Sequence, residues 1–452
     1  MNLYLFQQDL RIHDQALLNK ALHDGPVIGL FIFPNAWFSK DKDGIVKKDA
    51  FYLSFIYQTL IDLNHQLKTL NVPLIIKKGS PKNILDEIIS TYEIKTIYFE
   101  TLPGYEERLL YSTIQSFGLR TVTDQMKPLY KTHALPFEIK DLPFVFTQFR
   151  KQIERLPKIF TENLDLIPQE KMSIDSFIPN PDTLGIKLIQ HELIPGEKAA
   201  LKHLHTYLFE KQLAKTYKET RNGMLLFDDS TKFSAYLATG ALSVRRIMNQ
   251  LMVFEKSYTK NESTYWIYFE LLWRDYFYYV HIQYGDRIFT ENGLGNGHSI
   301  HNNPSLIQAW MQGNTGYPLI DANMRQLNQT GFMSNRGRQN VANFFTKFLK
   351  QDWRIGANYF ESKLIDFDVS SNTLNWLYAS GLGNDPRENR MFNYITQGER
   401  YDKHCHFVDT YLPELKHLPN HLKYKVSELS QKERSDFNIQ GYPKPIKRFF
   451  DR

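Results

Sequence analysis

The sequence predicts two domains, an α/β domain with a doubly wound parallel sheet followed by a large all-α domain. The chain has 452 residues, which is more than one ordinary hydrophobic core accommodates. Its first part alternates short apolar runs with helical patterns, as parallel sheets do. After Gly196 one helical pattern follows another, and no convincing strand occurs.

The first 126 residues contain the whole predicted sheet, which is Rossmann-like. The apolar runs predicted to be strands are Leu3–Phe6, Val27–Phe33, Pro73–Ile76, Thr96–Phe99 and Leu119–Val122. The helical patterns between them are Asp49–Leu70, Pro81–Tyr92 and Gly104–Phe117. Because sheets of this kind bind ligands beyond the carboxyl ends of their strands, any ligand of this domain is expected there.

A long connector, residues 127–195, separates the two domains. Prolines interrupt it repeatedly, and one helical stretch, Phe146–Arg155, lies within it. The all-α domain then runs from residue 196 to 452. Its predicted helices are Glu197–Lys215, Ser234–Phe254, Ser263–Tyr284, Pro304–Gln312, Asp321–Gln329, Gly337–Lys350 and Arg354–Lys363.

Composition excludes several classes of protein. The single cysteine, Cys405, excludes a disulfide framework and a thiolate zinc site, and we expect no metal. Neither a signal peptide nor an apolar run of about 20 residues occurs, so a cytoplasmic protein without a membrane span is expected. A net charge of +6 is compatible with nucleic acid but equally with an ordinary basic protein.

The densest cluster of polar groups runs from Gly331 to Asn393. Asn335, Arg336 and Arg338 precede an apolar helix, and Asp366 and Asp368 stand among apolar residues. Buried carboxylates need partners, so a structural ion pair with one of the two arginines is the simplest interpretation. The sharper interpretation is a site for a flat heterocycle, to which three further groups contribute: Asn372, Trp376 and Tyr378.

A second cluster lies on one predicted helix. Glu270 and Arg274 share a helix face, and Trp266 and Trp273 lie on the same side two turns apart. A surface ion pair beside core aromatics explains this pattern. Alternatively, a carboxyl packed against aromatic rings favours its protonated form and can donate a proton.

A third cluster combines Tyr217 and Arg221 with the run Ser230, Thr231, Lys232, Phe233 and Ser234. Hydroxyls at a helix start often serve only as caps. Several hydroxyls together with a lysine favour a phosphate-binding site at the free N–H groups of the helix.

Longer motifs make the chain resemble photolyases and cryptochromes, in particular their DASH branch. The motifs that carry this resemblance are Asp9–Arg11, Val145–Lys151, Thr216–Met224, Thr315–Ala322, Gly331–Gln339 and Gly383–Glu388. They are distributed over nearly the whole chain, and long ungapped motifs of this kind are highly specific.

The resemblance implies a non-covalent FAD in the helical domain. By position, Ser230, Thr231 and Ser234 would bind its phosphates with Tyr217 nearby, and Lys232 and Phe233 belong to the same cofactor-binding segment. The flavin would contact Asn335, Arg338, Asp366, Asp368 and Asn372. Glu270 and Arg274 also belong to this expected cofactor site. The resemblance further implies a lesion pocket of Glu270, Trp273, Asn335 and Tyr378, electron transfer through Trp376 and Trp353, and DNA phosphate contacts by Arg221, Arg336 and Arg390.

The implied activity is light-driven repair. Reduced FAD would split cyclobutane pyrimidine dimers in single-stranded or duplex DNA by electron transfer, and the enzyme is expected to be a monomeric deoxyribodipyrimidine photolyase. The same flavin pocket would also serve a blue-light photoreceptor that binds nucleic acid without efficient repair. Repair of the (6-4) photoproduct is disfavoured, because that class has histidines where this chain has Ser334 and Asn335.

Three positions depart from the family pattern. The outermost tryptophan of the usual chain of three is replaced by Ile300, and the first arginine of the usual N-terminal motif is replaced by Gln7. The glutamate that usually holds a folate antenna falls near Pro103. The identity of any antenna chromophore, folate or another pigment, therefore stays open.

Overall fold

The computed structural model describes residues 1–162, 166–297, 300–384 and 391–447. The chain divides into two compact units. Unit 1 consists of Met1–Lys218, Lys232–Asp286 and Ile365–Ser371, and unit 2 consists of Glu219–Thr231, Arg287–Leu364 and Asn372–Arg452. The domain boundaries expected after residues 126 and 195 stay a prediction.

Unit 1 contains the predicted parallel sheet, in the order β3-β2-β1-β4-β5. Its strands are β1 Asn2–Leu5, β2 Val27–Pro34, β3 Leu74–Gly79, β4 Thr96–Glu100 and β5 Arg120–Asp124. Leu3 lies between Ile28 of β2 and Ile97 of β4, and all three are fully buried. The strand order reverses between β1 and β4, whose carboxyl ends therefore lie side by side.

Helices cover the sheet and continue along the chain. Up to Asp286 they are α1 Ala16–Asp24, α2 Ala50–Lys68, α3 Pro81–Tyr92, α4 Tyr105–Ser116, α5 Phe146–Ile153, α6 Pro181–Leu184, α7 Glu197–His205, α8 Tyr217–Thr220, α9 Phe233–Thr239, α10 Val244–Ser257 and α11 Glu262–Tyr284. After Asp286 they are α12 Pro304–Gln312, α13 Pro318–Thr330, α14 Asn335–Asn343, α15 Trp353–Lys363, α16 Val369–Ser380, α17 Tyr394–Tyr401, α18 His406–Tyr411, α19 Asn420–Lys423 and α20 Gln431–Asp436.

The helix predicted over residues 234–254 is in fact two helices. Gly240 has a φ of +75°, which ends α9, and the Ser243 side chain then caps α10 by accepting the Arg245 N–H at 3.2 Å. A Cβ at Gly240 would collide with the backbone carbonyl of Gln8. Only glycine therefore combines this left-handed turn with so close an approach of two chain segments.

The segment after β1 is bound to this turn. The Leu10 N–H donates to the Thr239 oxygen at 3.2 Å, and the buried Arg11 donates from Nη1 to the Gly240 oxygen at 2.8 Å. The predicted motif Asp9–Arg11 therefore fixes the end of β1 against the start of the helical region within unit 1.

Unit 2 is helical wherever it is regular, and its core is rich in aromatic rings. Trp310 and Trp376 are both buried, with ring centroids 6.0 Å apart. The buried Asp321 on α13 accepts the Thr315 N–H at 2.7 Å and the Tyr442 hydroxyl at 2.5 Å. No helix in the described ranges is long and apolar enough to span a bilayer.

Candidate functional site

Helix α11 positions the second predicted cluster. It begins at a cap in which the Asn261 side chain accepts the Thr264 N–H at 2.9 Å. Glu270, Trp273 and Arg274 are half-buried along it. The Trp273 ring stacks on Phe146 of α5, with centroids 3.7 Å apart and planes 13° apart. The Trp273 ring is therefore a flat aromatic surface supported by Phe146, and it lies one helical turn from the Glu270 carboxyl group.

A buried ion pair in the same unit contains the predicted flavin residue Asp368. Its partner is Lys127, whose ammonium group contacts an Asp368 oxygen and whose side chain is 4% exposed. The other Asp368 oxygen accepts the Ser371 N–H at 2.8 Å. The Lys127 backbone oxygen accepts a hydrogen bond from Arg274 Nη1 at 2.8 Å. Three elements of unit 1, the connector, α11 and the segment 365–371, therefore meet at Lys127.

Burial and charge act on Asp368 in opposite directions. Burial acts to raise its pKa, but Lys127, Arg274 and the Ser371 N–H outweigh burial and hold the pKa well below its ordinary range. Asp275 instead pairs with Arg274 at 3.5 Å, and burial raises its pKa to about 6 although it also accepts the Leu129 N–H at 2.8 Å. Asp368 is therefore a permanent anion at neutral pH.

The predicted phosphate segment contains the start of α9. Lys232 has a left-handed φ of +53° immediately before the helix, and Phe233 is buried against Tyr207, with ring centroids 5.6 Å apart. Ser234, in the first turn, is exposed. This part of the segment thus places a lysine and a hydroxyl at a helix start, as a phosphate site requires. Tyr217, on α8, is buried.

In unit 2, α14 carries Asn335, Arg336 and Arg338. The Ser334 hydroxyl caps the helix by accepting the Gly337 N–H at 3.0 Å, which leaves Asn335 exposed in the first turn. Arg336 donates from Nη2 to the Asn222 side-chain oxygen at 2.9 Å. Arg336 thus contacts the residue that follows Arg221, a second predicted DNA-binding arginine. The third, Arg390, lies outside the described residues.

Helices α15 and α16 carry the predicted electron-transfer residues. Trp376 packs on the backbone of α15 at Gly356, where any Cβ would collide with its ring. The Trp376 indole N–H is buried and has no hydrogen-bond partner among the described residues. The Trp353 indole N–H donates to the Glu291 oxygen at 3.0 Å, and Trp353 and Ile300 line the same small cavity. Ile300 therefore lies near Trp353, and its match to the outer tryptophan position stays a prediction.

The remaining predicted residues lie on or near the same helices. On α16, the Asn372 side-chain amide donates to the Ala357 oxygen at 3.1 Å, and Tyr378 is half-buried. Asp366 is 7% exposed in unit 1. Sequence reasoning missed Lys127, because a lysine in a proline-rich connector gives no sign that it will be buried beside a carboxylate 241 positions later.

The edge between β1 and β4 contains a second buried carboxyl group. Glu100 is fully buried, one of its oxygens accepts the Met126 N–H at 3.0 Å, and the other has no partner among the described residues. Gln7 donates to the Glu100 backbone oxygen at 2.9 Å but brings no positive charge. Burial, and then the charge of Asp9, raise the pKa of Glu100 to about 8.

Glu100 is expected to make the protein less stable as pH rises. Its folded-state pKa lies above the unfolded value, so its contribution is complete below about pH 4.5 and is lost as pH rises through about 8. In that window the free energy of unfolding should fall by up to about 1.4 kcal/mol per pH unit. The urea midpoint of Glu100→Gln should depend less on pH than that of the wild type or of the exposed-site control Glu192→Gln. Parallel pH profiles for all three proteins would exclude this role.

Known proteins match the chain over almost its whole length. A family model described as DNA photolyase matches residues 2–168, and one described as FAD binding domain of DNA photolyase matches residues 266–451. The protein named Cryptochrome DASH in Gloeobacter violaceus is 38% identical over 464 residues, which cover 98% of this chain and 92% of that protein.

Solved structures agree in fold. The crystal structure of a cryptochrome from Synechocystis has a TM-score of 0.92 at 36% identity and covers 100% of this chain and 97% of that one. An archaeal photolyase from Sulfolobus tokodaii, solved with two FAD molecules, has a TM-score of 0.81 at 25% identity, with 100% and 97% covered.

Proposed function

Because the chain belongs to the DNA photolyase and cryptochrome family, we propose that it is a light-driven flavoprotein that splits cyclobutane pyrimidine dimers in DNA. One observation carries the proposal. In unit 1, the face of Glu270 and Trp273 is joined through Arg274 and Lys127 to the buried carboxylate Asp368. A surface suited to a flat base and a group suited to a flavin are thus parts of one cluster.

Each unit, taken by itself, offers groups that fit parts of FAD. Unit 1 offers the ionised Asp368 as an acceptor, and Lys232, with the hydroxyl of Ser234, for phosphate oxygens. Unit 2 offers the buried indole N–H of Trp376, which lacks a partner among the described residues. We further assign the flavin contacts of Asn335, Arg338, Asp366 and Asn372 by their positions in the family pattern. Bound reduced FAD would supply the electron for repair when it absorbs light.

The protein side chains would bind and orient the dimer. Trp273, held by its stack on Phe146, offers a rigid aromatic face for a base that has left the helix. The Glu270 carboxyl, one turn away, would donate a hydrogen bond to a carbonyl oxygen on which negative charge develops. Asn335 and Tyr378 are assigned to the dimer as well, by their positions in the family pattern alone. Arg221, Arg336 and Arg390 would contact backbone phosphates, which give affinity without sequence preference.

Illumination of the purified protein tests this function. The absorption spectrum should contain a flavin band, and blue light should restore dimer-containing oligonucleotides, single-stranded and duplex, to the undamaged sequence. Flavin binding and photoreduction without loss of dimers would instead identify a photoreceptor. Chromophore released by denaturation should be analysed in the same samples, since an antenna pigment would be present in addition to the FAD assigned above.

The variant Glu270→Ala is expected to repair dimers about tenfold to a hundredfold less efficiently, since a hydrogen bond to a charged group contributes about 1.5–3 kcal/mol. Its flavin content should stay at the wild-type level, because Asp368 and the α9 segment remain. The measurement is dimers repaired per absorbed photon at saturating DNA. Glu262→Ala, on the same helix, is the matched control. Repair at the wild-type yield by Glu270→Ala would remove this carboxyl from the pocket.

A further inference from the structure

The ammonium group of Lys127 is buried in unit 1. The side chain is 4% exposed, and its Nζ contacts Asp368 and the side-chain oxygen of Gln8. Gln8 belongs to the segment after β1, and Asp368 belongs to the segment before α16. A single lysine of the connector therefore joins two segments 360 positions apart. Its ammonium group makes both of these side-chain contacts.

Stability alone does not explain such a pair, since a buried ion pair contributes little once desolvation is counted. The groups that face Asp368 explain what the pair does. Lys127 lies on one carboxylate oxygen, the Ser371 N–H lies on the other, and Arg274 and His281 are the further charged or titratable neighbours. Of these, only Lys127 forms an ion pair with the carboxylate among the described residues.

We propose that Lys127 is a positioning residue for the flavin. Its ammonium group holds the Asp368 carboxylate ionised and in place, so that the carboxylate can accept a hydrogen bond from the flavin ring. This inference rests on the proposed function, because it takes FAD to be the ligand of Asp368. The family pattern assigns Asp368 to the flavin but says nothing of Lys127. The pair also couples the flavin carboxylate to the carboxyl end of β1 through Gln8.

The role predicts a pH dependence that a merely structural lysine would not produce. With Lys127 present, Asp368 stays ionised throughout the range pH 5.5–8, so the affinity for FAD should be nearly constant. Without Lys127, burial raises the pKa of the carboxyl, and FAD binding then requires the loss of a proton. Affinity should fall by up to about tenfold for each pH unit below the new pKa.

The experiment measures the dissociation constant of FAD, by quenching of its fluorescence on titration with apoprotein, at pH 5.5 and pH 8. Lys127→Met should bind FAD about tenfold more weakly at pH 5.5 than at pH 8, and Lys127→Arg should restore the flat profile. Lys131→Met is the matched control, because Lys131 lies in the same connector and pairs with Asp124 near the surface.

The inference would be overturned if Lys127→Met had the same dissociation constant for FAD at both pH values. This holds whether the variant binds FAD as tightly as the wild type or more weakly. Failure of the wild type itself to bind FAD would overturn the proposed function as well, and so the two failures are distinguishable. If Lys127→Met does not fold, the double variant Lys127→Met/Asp368→Asn tests the inference, because it also removes the buried carboxylate that has lost its partner. Recovery of folding with weak, pH-independent FAD binding supports the pairing, and no recovery contradicts it.

Discussion

Replacing Trp376 by phenylalanine is expected to abolish nearly all photoreduction of FAD while leaving repair by chemically reduced enzyme intact. Trp376 is buried against Gly356. We assign it by position as the innermost tryptophan of the family pattern, so it would donate the first electron. Phenylalanine has no accessible radical cation, so it cannot donate this electron. The electron for repair comes from the flavin and does not pass through Trp376.

The route beyond Trp353 is expected to differ from the usual one. Ile300 shares a cavity with Trp353, and an aliphatic side chain cannot accept the electron hole. The hole must be filled by solvent, by an external reductant or by another aromatic residue. Trp310 offers a branch that leaves Trp376 without passing through Trp353, because its ring lies 6.0 Å from Trp376 and 5.9 Å from the half-buried Tyr359.

Flavin absorbance under blue light with an external thiol separates these routes. Ile300→Trp should photoreduce faster than the wild type, and Trp37→Phe is the control for loss of an indole in the α/β part of the chain. A wild-type rate in Trp376→Phe would show that the assignment is wrong. No gain in Ile300→Trp, together with a slower rate in Trp310→Phe, would identify Trp310 as the existing exit.

The variant Asp368→Ala is expected to lose both flavin and stability. It removes the acceptor assigned to FAD and leaves the ammonium group of Lys127 buried without its carboxylate partner. Breaking a buried ion pair by deleting one partner costs about 3–5 kcal/mol. The measurements are flavin per chain after purification and the urea midpoint of the apoprotein.

Asp175→Ala, at an exposed position, is the control for Asp368→Ala. Full flavin occupancy in Asp368→Ala would count against this pocket. A normal urea midpoint combined with lost flavin would instead show that Lys127 finds another partner in the variant, while the flavin assignment would stand.

The sheet was predictable because each of its strands is an apolar run bounded by turn residues. The helical half was less well predicted at its interruptions. Gly240 lies within a continuous helical pattern, and only the approach of Gln8 explains why the chain turns there. Helix α1, Ala16–Asp24, was missed because its pattern is short, and α16 because its polar and aromatic residues obscure the period.

The site was predictable where it depends on residue type along one helix, as for Glu270, Trp273 and Arg274 on α11. It was not predictable where partners are distant in sequence. Both arginines of the Gly331–Asn340 segment were natural partners for Asp368, but the ion pair in unit 1 is made by Lys127. Charge alone does not predict which distant cation pairs with a given carboxylate, because the pairing depends on which segments the fold brings together.

The turn at Gly240 has a consequence for the order of folding during synthesis. Arg11 emerges from the ribosome early, but Gly240, whose backbone oxygen accepts its hydrogen bond, is synthesised 229 residues later. Until then the first β-strand lacks the segment that closes its end, so the nascent α/β sheet is expected to remain incomplete and accessible to proteases. Chains arrested before residue 239 should therefore be cleaved near Arg11, and chains arrested well beyond α10 should be protected there.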